Sequence, residues 1–574
     1  MIPLSAEPPS TSQPPGRRKG LINLTVETPP STSRKNDRPK SRRPASRWKT
    51  PEFIFYAIAF ILVVPHMFTL PMNLSQTTHP NYPLYQHRLS RGWIPGREVD
   101  NSDGQYRGFR NNIPALFALA TVFLVLGKLH SWIFAPKMQS ISRRTELFRV
   151  SFLAVASVVV VTALHGASVL KIFAILLINY SIAKLSPQSP NSIVGPLLTW
   201  AFNMVMLFSN ELNDGYKFGR LHSSLAVLDS MQGIHPRWHI GFNITMLRLV
   251  SFNMDYFWAC RGVGTPDTGA NLDQSRRAST SHEKSMYNFT NYLTYILYTP
   301  LYIAGPIMTF NDFLWQIRRP TAIPLRSTVM YLVRFIVCLL TMELVLHYMY
   351  VVAIKDAVAW MGDSPAELSM VGFWNLIVVW LKLLIPWRFF RLWALADGID
   401  PPENMIRCVT NNYSALGFWR SWHRSYNLWT LRYVYVPIGG TTHPVLSRLL
   451  VFSFVALWHD LSFRLLAWGW LVCLFIVPEL LASYFLPQEK YGDRPWYRHV
   501  CAIGGVGNIM MMMSANLVGF VIGTDGIKYF LGQLGGSWEG IRFVLFAVVC
   551  LFIGVQVMFE YREEEMRAGI YRKC

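Results

Sequence analysis

One short stretch of the chain collects the residue types that proton transfer and anion binding require. Residues 417–440 read GFWRSWHRSYNLWTLRYVYVPIGG, with His423 among closely spaced aromatic and basic side chains. An imidazole is suited to proton transfer because its unperturbed pKa lies near neutral pH. Read as one helix, the i, i+4, i+8 spacing predicts that Trp419, His423 and Asn427 share a face. The alternative, which composition alone slightly favours, is an interfacial amphipathic helix with a belt of aromatic side chains.

The arginines of the same stretch indicate an anionic ligand. Arg420 and Arg424 fall on the face next to His423, and Arg432 follows two turns later. Guanidinium groups beside indole and phenol rings suit phosphates or lipid headgroups at a membrane–water boundary. The stretch therefore predicts a histidine at a place where anion-binding groups and apolar surface meet.

A second candidate group lies in the apolar run VFSFVALWHDLSFRLLAWGWL. His459, Asp460 and Arg464 sit inside this run, and ionisable residues at membrane depth are functional candidates. Read as one helix, Asp460 and Arg464 are four residues apart, which predicts an ion pair. A lone histidine in a membrane more often joins two helices by a hydrogen bond. Three further histidines lie in or near apolar runs: His66, His165 and His347. Spacing alone does not separate His459 from them.

Two other segments carry helix-breaking or charged residues in apolar surroundings. In NYLTYILYTPLYIAGPIMTFNDFLWQ, the residues Pro300, Gly305 and Pro306 predict a broken or kinked helix. Such a break either lines a tunnel or has a purely structural role. In NITMLRLVSFNMDYFW, Arg248 and Asp255 predict either a structural ion pair or part of the same cavity.

These candidate residues must be positioned by membrane-spanning helices. The chain has 574 residues, of which 51% are hydrophobic and only 15% are charged, whereas soluble proteins carry about 25% charged residues. Apolar runs near the length that a bilayer core requires, roughly 20 residues, recur about eleven times. They cover residues 52–72, 112–134, 148–164, 167–185, 193–209, 290–308, 329–353, 369–388, 446–472, 500–523 and 540–559. The sequence therefore predicts an all-α polytopic membrane protein.

The chain ends, one loop and the cysteines have simpler interpretations. Residues 1–50 hold eleven Lys/Arg against three Asp/Glu and many Pro and Ser/Thr, which predicts a disordered basic tail. Because this tail abuts the first apolar run, the positive-inside rule predicts a cytosolic N-terminus. Residues 261–287 are expected to form a flexible loop, and residues 561–574 a charged tail. The seven cysteines form no CxxC pair, so neither a zinc site nor a disulfide framework is expected.

Several long motifs resemble the membrane-bound O-acyltransferase superfamily. The run FWRSWHRSYNLWTLRYVYVPIGG, followed by a helix with ALWHDLSFRLLAWG, is similar to the signature of this superfamily. Within it, the resemblance is to the fungal glycerol uptake protein branch, which is related to Hedgehog acyltransferase. The motifs GREVDNSDGQYRGFRNN, HPRWHIGFNITMLRLVSFNMDYFW and LYTPLYIAGPIMTFNDF support that branch. The resemblance implies a transmembrane catalytic domain over residues 51–560, with re-entrant or kinked helices around a central tunnel.

The resemblance also implies roles for individual residues. The family's catalytic histidine falls on His459, and a second family position, which is His, Asn or Asp in different branches, falls on His423. In the Hedgehog acyltransferase relatives a cysteine ahead of this motif binds haem, and Cys408 lies at the comparable place. An inert thiol is the alternative interpretation of Cys408. No cofactor is expected to be required besides acyl-CoA as co-substrate.

The implied reaction is acyl transfer from acyl-CoA to a lipid hydroxyl. Neutral His459 would take the proton of the acceptor hydroxyl, while His423 or Asn427 would position the acceptor or donate a hydrogen bond to the oxyanion. The arginines of the stretch would bind the CoA phosphates. The expected substrate-binding residues are Trp419, Arg420, Arg424, Asn427 and Arg432.

The acceptor and the location follow from the resemblance alone. In the glycerol uptake branch the implied acceptor is lyso-GPI anchor lipid, or another lysolipid, in the endoplasmic reticulum, with the plasma membrane as a second location. The expected partners are therefore acyl-CoA, the lipid acceptor and membrane lipids, and not nucleic acid. The alternatives are a glycerol transporter of the proton symport type, a non-catalytic membrane regulator, and an enzyme that acylates a protein N-terminus. A transporter is expected to show inverted repeats, and the sequence shows none.

Overall fold

The computed structural model describes residues 45–134, 142–186, 192–264, 272–319, 323–440 and 442–570. Residues 1–44, most of the predicted basic tail, lie outside this part of the chain. Two short antiparallel strands, β1 (Leu89–Arg91) and β2 (Glu98–Asp100), pair with Leu89 opposite Asp100. All the other regular elements of the described residues are helices.

The described residues up to Arg318 form twelve α-helices. They are α1 (Pro51–Leu74), α2 (Tyr82–Tyr85), α3 (Gly104–Phe134), α4 (Ser142–His165), α5 (Val169–Leu185), α6 (Val194–Leu212), α7 (Ala226–Ser230), α8 (Trp238–Cys260), α9 (Gln274–Ser279), α10 (Phe289–Leu297), α11 (Thr299–Tyr302) and α12 (Phe310–Arg318). Thr50 is the N-cap residue of α1, because its hydroxyl accepts a hydrogen bond from the Phe53 N–H at 3.4 Å.

The rest of the described chain carries the candidate residues, several of them on the short helices α16 and α17 and at their junction. Its helices are α13 (Leu325–Tyr348), α14 (Val351–Asp356), α15 (Pro365–Ala396), α16 (Ala415–Ser421), α17 (Arg424–Thr430), α18 (Pro444–His459), α19 (Phe463–Phe485), α20 (Gln488–Tyr491), α21 (Tyr497–Asn516), α22 (Gly523–Gly535) and α23 (Trp538–Arg567). Single π-helical turns extend α17 and α21, at Leu431–Tyr435 and Leu517–Val521. Short π-helical turns are often found at functional sites.

The polytopic helical class is confirmed, but the count of about eleven spans is not. The described residues contain eight helical segments that are long and apolar enough to cross a membrane: Pro51–Leu74, Gly104–Phe134, Arg149–Leu185, Leu325–Tyr348, Pro365–Ala396, Phe463–Phe485, Tyr497–Val521 and Trp538–Arg567. Two predicted runs, 148–164 and 167–185, merge into one of these segments. The run at 290–308 breaks into short helices, and the run at 446–472 divides between α18 and α19.

Helix α8 runs through the protein interior and carries two buried charges. The Arg248 guanidinium donates hydrogen bonds to the carbonyl oxygens of Ile296, at 2.8 Å, and Leu301. The Asp255 carboxylate accepts a hydrogen bond from Arg432 at 2.9 Å. Arg248 and Asp255 therefore do not form the predicted ion pair with each other, because each has a partner from another segment.

The break predicted at Pro300, Gly305 and Pro306 is present and has a structural role. Helix α11 ends at Tyr302, and the chain is non-helical until α12 begins at Phe310. Within this segment the Ile307 N–H donates to the Ser425 hydroxyl at 2.9 Å. The broken segment thus supports the stretch that carries His423.

Two segments predicted to be loose contain buried residues. Within the 261–287 insertion, Arg277 forms a buried ion pair with Asp312 at 2.6 Å, and Tyr287 is fully buried. Helix α23 continues to Arg567, well into the predicted C-terminal tail. There the Glu565 carboxylate accepts a hydrogen bond from the Arg407 guanidinium at 2.7 Å. Both segments are therefore packed parts of the fold over the residues that the structure describes.

Candidate active site

A large, partly open cavity brings the two candidate histidines to one space. It has a volume of about 1500 Å³ and is lined mainly by apolar side chains from α1, α13, α15, α18 and α21–α23. His423 and His459 both contribute to its wall, together with Asn427. A space of this size and polarity can enclose a long acyl chain, because such chains bind where apolar surface leaves water. The broken segment at 303–309 does not line it, so the prediction of a kinked helix along the tunnel is wrong for that segment.

His459 is the last residue of α18 and is exposed on the cavity wall. The helix stops here because Asp460 adopts an extended conformation, with φ −170° and ψ 145°. The Ser462 hydroxyl then caps α19 by accepting a hydrogen bond from the Leu465 N–H at 3.3 Å. The predicted Asp460–Arg464 pair is therefore wrong, since the two residues do not share a helix. Arg464 instead donates to the Val518 carbonyl at 2.9 Å.

His423 lies between α16 and α17 in a left-handed conformation, with φ 43° and ψ 48°. Few non-glycine residues adopt this conformation, and when they do it often marks a functional constraint. Asn404 stabilises the break, since its carbonyl oxygen accepts the Arg424 N–H and its side-chain oxygen accepts the Ser425 N–H, both at 3.1 Å. The prediction of one continuous helix through this stretch is wrong. Asn427 still returns to Trp419, because its side-chain amide donates to the Trp419 carbonyl at 2.9 Å.

A stack of aromatic rings connects the two histidines. The His423 ring lies between Trp387 and Tyr426, with ring centroids 4.7 Å and 5.3 Å away. Tyr426 stacks in turn on Trp458 at 4.5 Å, and the His459 ring meets the edge of Trp458 at 4.8 Å. Stacked and edge-to-face rings hold each other in defined orientations. Both imidazoles are therefore fixed by neighbouring rings and not by hydrogen bonds.

Other histidines of the predicted apolar runs have structural partners. The two ring nitrogens of His165 lie 2.9 Å from the His235 carbonyl oxygen and 3.1 Å from the Tyr302 hydroxyl. Both ring nitrogens of His347 also lie within hydrogen-bond distance of backbone atoms. These two residues fit the interpretation of a membrane histidine as a link between helices.

By contrast, the rings of His423 and His459 have no hydrogen-bond partner among the described residues. Burial lowers the pKa of His423, which lies outside the membrane-spanning helices, to about 3, and the nearby His459 lowers it further. His423 is therefore neutral at physiological pH. A neutral imidazole with unused nitrogens can accept or donate a proton in a reaction.

The cavity wall is basic. Arg420 and Arg424 line it as expected from the sequence, and Arg448 of α18 lines it as well. No Asp or Glu belongs to this wall within the part of the chain that the structure describes. One terminal nitrogen of Arg448, Nη2, is buried without a hydrogen-bond partner among the described residues. The sequence signal for Arg448 is a charged residue at the start of the apolar run 446–472.

Arg432 lies apart from the cavity wall. Its guanidinium forms an ion pair with the fully buried Asp255 at 2.9 Å and lies over the Trp258 ring, 4.8 Å from the centroid. Its positive charge therefore has a partner inside the fold. Among the described residues, the arginines on the cavity wall are Arg420, Arg424 and Arg448.

Cys408 lies in the loop between α15 and α16. Its thiol is within 3.1 Å of the Thr410 hydroxyl, and Thr410 lines the cavity. No cluster of three or more metal-binding side chains occurs among the described residues. A haem at Cys408 would thus depend on this single protein ligand, and it stays a prediction.

Comparisons with known proteins show the family to which the chain belongs. The family model for the membrane-bound O-acyltransferase family matches residues 191–524, which include both histidines. The chain belongs to the membrane-bound O-acyltransferase family. Its similar relatives include "Membrane-bound O-acyltransferase GUP1" of Candida tropicalis, 45% identical over 95% of this chain and 92% of the relative. The protein of the same name from Saccharomyces cerevisiae is 45% identical over 94% of this chain and 96% of its own length.

A more distant relative is "Protein-cysteine N-palmitoyltransferase HHAT" of Mus musculus. It is 28% identical over 304 residues, which is 46% of this chain and 57% of the relative. The resemblance to the glycerol uptake branch and its Hedgehog acyltransferase relatives is therefore confirmed. Members of this family are acyltransferases, and this chain is a multi-pass membrane member of it.

Proposed function

We propose that this chain transfers a long-chain acyl group from acyl-CoA to a hydroxyl group of a lipid, with lyso-GPI anchor lipid as the acceptor. The observation that carries the proposal is the cavity of about 1500 Å³, whose largely apolar walls include His423 and His459, the two histidines that one stack of aromatic rings connects. An acyl chain suits those walls. The three arginines, without any carboxylate in the described part of the wall, suit the phosphates of CoA.

The proposed reaction uses His459 as the general base. Its neutral imidazole takes the proton of the acceptor hydroxyl, whose oxygen attacks the thioester carbonyl carbon. A C–O bond forms, the C–S bond breaks, and the proton passes from His459 to the CoA thiolate, which leaves as the thiol. His423 donates a hydrogen bond to the oxyanion that develops in between. Asn427 is less suited to that role, because its amide already donates to the Trp419 carbonyl.

The location and orientation belong to the same proposal. We place the protein in the endoplasmic reticulum membrane with its N-terminus in the cytosol. The N-terminal end of α1 lies beside the C-terminal end of α23, where the Arg47 N–H donates to Glu560 at 3.0 Å. The strongly basic residues 1–50 precede this end, and the positive-inside rule favours the cytosol for such a segment.

The test is acyl transfer by purified full-length protein in detergent, with labelled long-chain acyl-CoA and lyso-GPI lipid. We expect His459→Ala to lower kcat about 10²- to 10⁴-fold, the usual contribution of a general base. His66→Ala is the matched control, because His66 of α1 is another imidazole on the cavity wall. A loss in both variants, or in neither, would contradict the role of His459.

Two further assays separate the proposal from its alternatives. Glycerol flux into liposomes that contain the same protein tests the transporter interpretation. A peptide with an N-terminal cysteine, offered in place of the lipid, tests protein acylation. Transfer to lyso-GPI lipid without glycerol flux supports the proposal. Robust flux without any acyl transfer, or transfer to the peptide alone, would replace it.

A further inference from the structure

A second concave site lies away from the cavity, between the start of α13 and the end of α15. It is a cleft of about 570 Å³, and none of its lining residues belongs to the cavity wall. The polar residues that line it are Arg326, Ser327, Tyr331, Arg334, Arg391 and Asp400. The cleft thus joins three arginines, two from the first half of α13 and one near the end of α15.

One of these arginines is neutralised by the protein itself. The Arg391 guanidinium pairs with Asp400 at 2.8 Å and with Glu403 at 3.5 Å. It also lies over the Tyr331 ring, 4.7 Å from the centroid. Asp400 and Glu403 thus both pair with Arg391, and neither forms an ion pair with Arg326 or Arg334.

Arg326 and Arg334 are different, because both are exposed and neither has an ion-pair or hydrogen-bond partner for its guanidinium among the described residues. They are eight residues apart on α13, so they lie on one face about 12 Å apart along the helix. The cleft thus carries two cationic groups that form no ion pair with the residues that the structure describes.

The depth of Arg334 makes this arrangement costly without an external anion. Helix α13 is a candidate membrane span that begins at Leu325, so Arg334 lies roughly 13 Å along it. The adjacent stripe of the helix is apolar and exposed, with Leu325 78%, Val329 46% and Val333 44% accessible. A charged side chain at the outer surface of a span is unfavourable unless it meets water or an anion. A ligand with both an anionic group and hydrocarbon chains fits both surfaces.

We propose that this cleft binds the headgroup phosphate of an anionic phospholipid of the surrounding bilayer. The guanidinium groups of Arg326 and Arg334 donate to the phosphate and to the second anionic group of the headgroup, and the Ser327 hydroxyl adds a further donor. The acyl chains extend from there towards the bilayer centre along the exposed stripe that continues through Val333, Val337 and Leu340. The phosphates of free CoA carry the same chemistry but have no chains for that stripe.

The test measures lipid binding to the purified full-length protein by native mass spectrometry in detergent. The probes are dioleoyl phosphatidylserine and, as the uncharged comparison, dioleoyl phosphatidylcholine. We expect phosphatidylserine to be retained preferentially. The double variant Arg326→Ala/Arg334→Ala should bind it about thirtyfold more weakly, since each arginine near an anionic headgroup is worth about fivefold in affinity.

A matched control removes the same charge elsewhere. Arg276 and Arg494 are exposed arginines outside the cleft, and Arg276→Ala/Arg494→Ala should leave phosphatidylserine binding unchanged. Equal binding by the cleft variant and the wild type would overturn the proposal, as would equal retention of the two lipids. Displacement of the bound lipid by millimolar CoA or inorganic phosphate would also overturn it, because the site would then recognise phosphate without the chains.

Discussion

The buried ion pair between Arg407 and Glu565 makes the C-terminal end of α23 part of the active-site scaffold. Two hydrogen bonds join them, from Nη1 to Oε1 at 3.2 Å and from Nη2 to Oε2 at 2.7 Å. Both residues are buried, with 4% and 8% of their surface accessible. The Arg407 N–H also donates to the hydroxyl of Ser421, the last residue of α16, at 3.0 Å. The pair therefore ties α23 to the turn that carries His423.

Removal of the carboxylate alone should be severe. Glu565→Ala leaves the Arg407 charge buried without this partner, which costs about 3–5 kcal/mol in comparable buried pairs. A typical domain has a free energy of unfolding of only about 5–15 kcal/mol. The neighbouring Glu564 is the matched control, because its side chain is 50% accessible and pairs with Arg567 at the surface. Exposed pairs contribute about 0–1 kcal/mol.

The difference in Tm between the two variants is measured by heating the detergent-purified protein. Size-exclusion chromatography monitors the fraction that remains folded. We expect a clearly lower Tm for Glu565→Ala than for Glu564→Ala, with acyl transfer lost in parallel. The double variant Arg407→Leu/Glu565→Leu should recover part of the Tm, because it removes both buried charges. Equal Tm values for the two single variants would refute the reasoning, since the pair would then contribute no more than a surface contact.

Three further variants test individual residues of the site. Arg448→Gln should raise the KM for acyl-CoA about tenfold to a hundredfold with little change in kcat, since it removes a charged hydrogen-bond donor from the cavity wall; initial rates over a range of acyl-CoA concentrations measure this. Arg432→Lys should lower the Tm and leave the KM for acyl-CoA unchanged, because Arg432 pairs with Asp255 inside the fold. His423→Gly and His423→Ala should both lower kcat about a hundredfold, and the glycine variant should unfold at the higher temperature because φ is 43°. A glycine variant less stable than the alanine variant would contradict the role of the backbone.

Much of the architecture could be predicted from composition and motif order. Long apolar runs indicate membrane helices whatever their neighbours are, because the bilayer imposes their length. The start of α19 could also be predicted from the sequence. Ser462 precedes an apolar run, as helix N-cap residues do. With that signal, the run around His459 divides into two helices, and the ion pair expected between Asp460 and Arg464 disappears.

The break at His423 could not be predicted in the same way. No Gly or Pro occurs between Phe418 and Tyr435, and the spacing of aromatic and basic residues is typical of one helix. The break depends on Asn404, which accepts the N–H groups of Arg424 and Ser425 from a loop about twenty residues earlier. Tertiary hydrogen bonds of this kind override local propensity, and a single sequence does not reveal them.

Arg432 is a residue whose expected role in CoA binding does not agree with its contacts in the structure. Its position two turns after His423 made it a candidate for CoA binding, but spacing along one segment says nothing about partners from another. Asp255 of α8 takes its charge at 2.9 Å, whereas Arg448 has a buried terminal nitrogen without a partner among the described residues. The same distinction separates His459, whose ring has no such partner, from His165, whose two nitrogens both have one. In an apolar interior a polar group without a partner is costly, so the groups that lack one and face the cavity are those with which a substrate can interact.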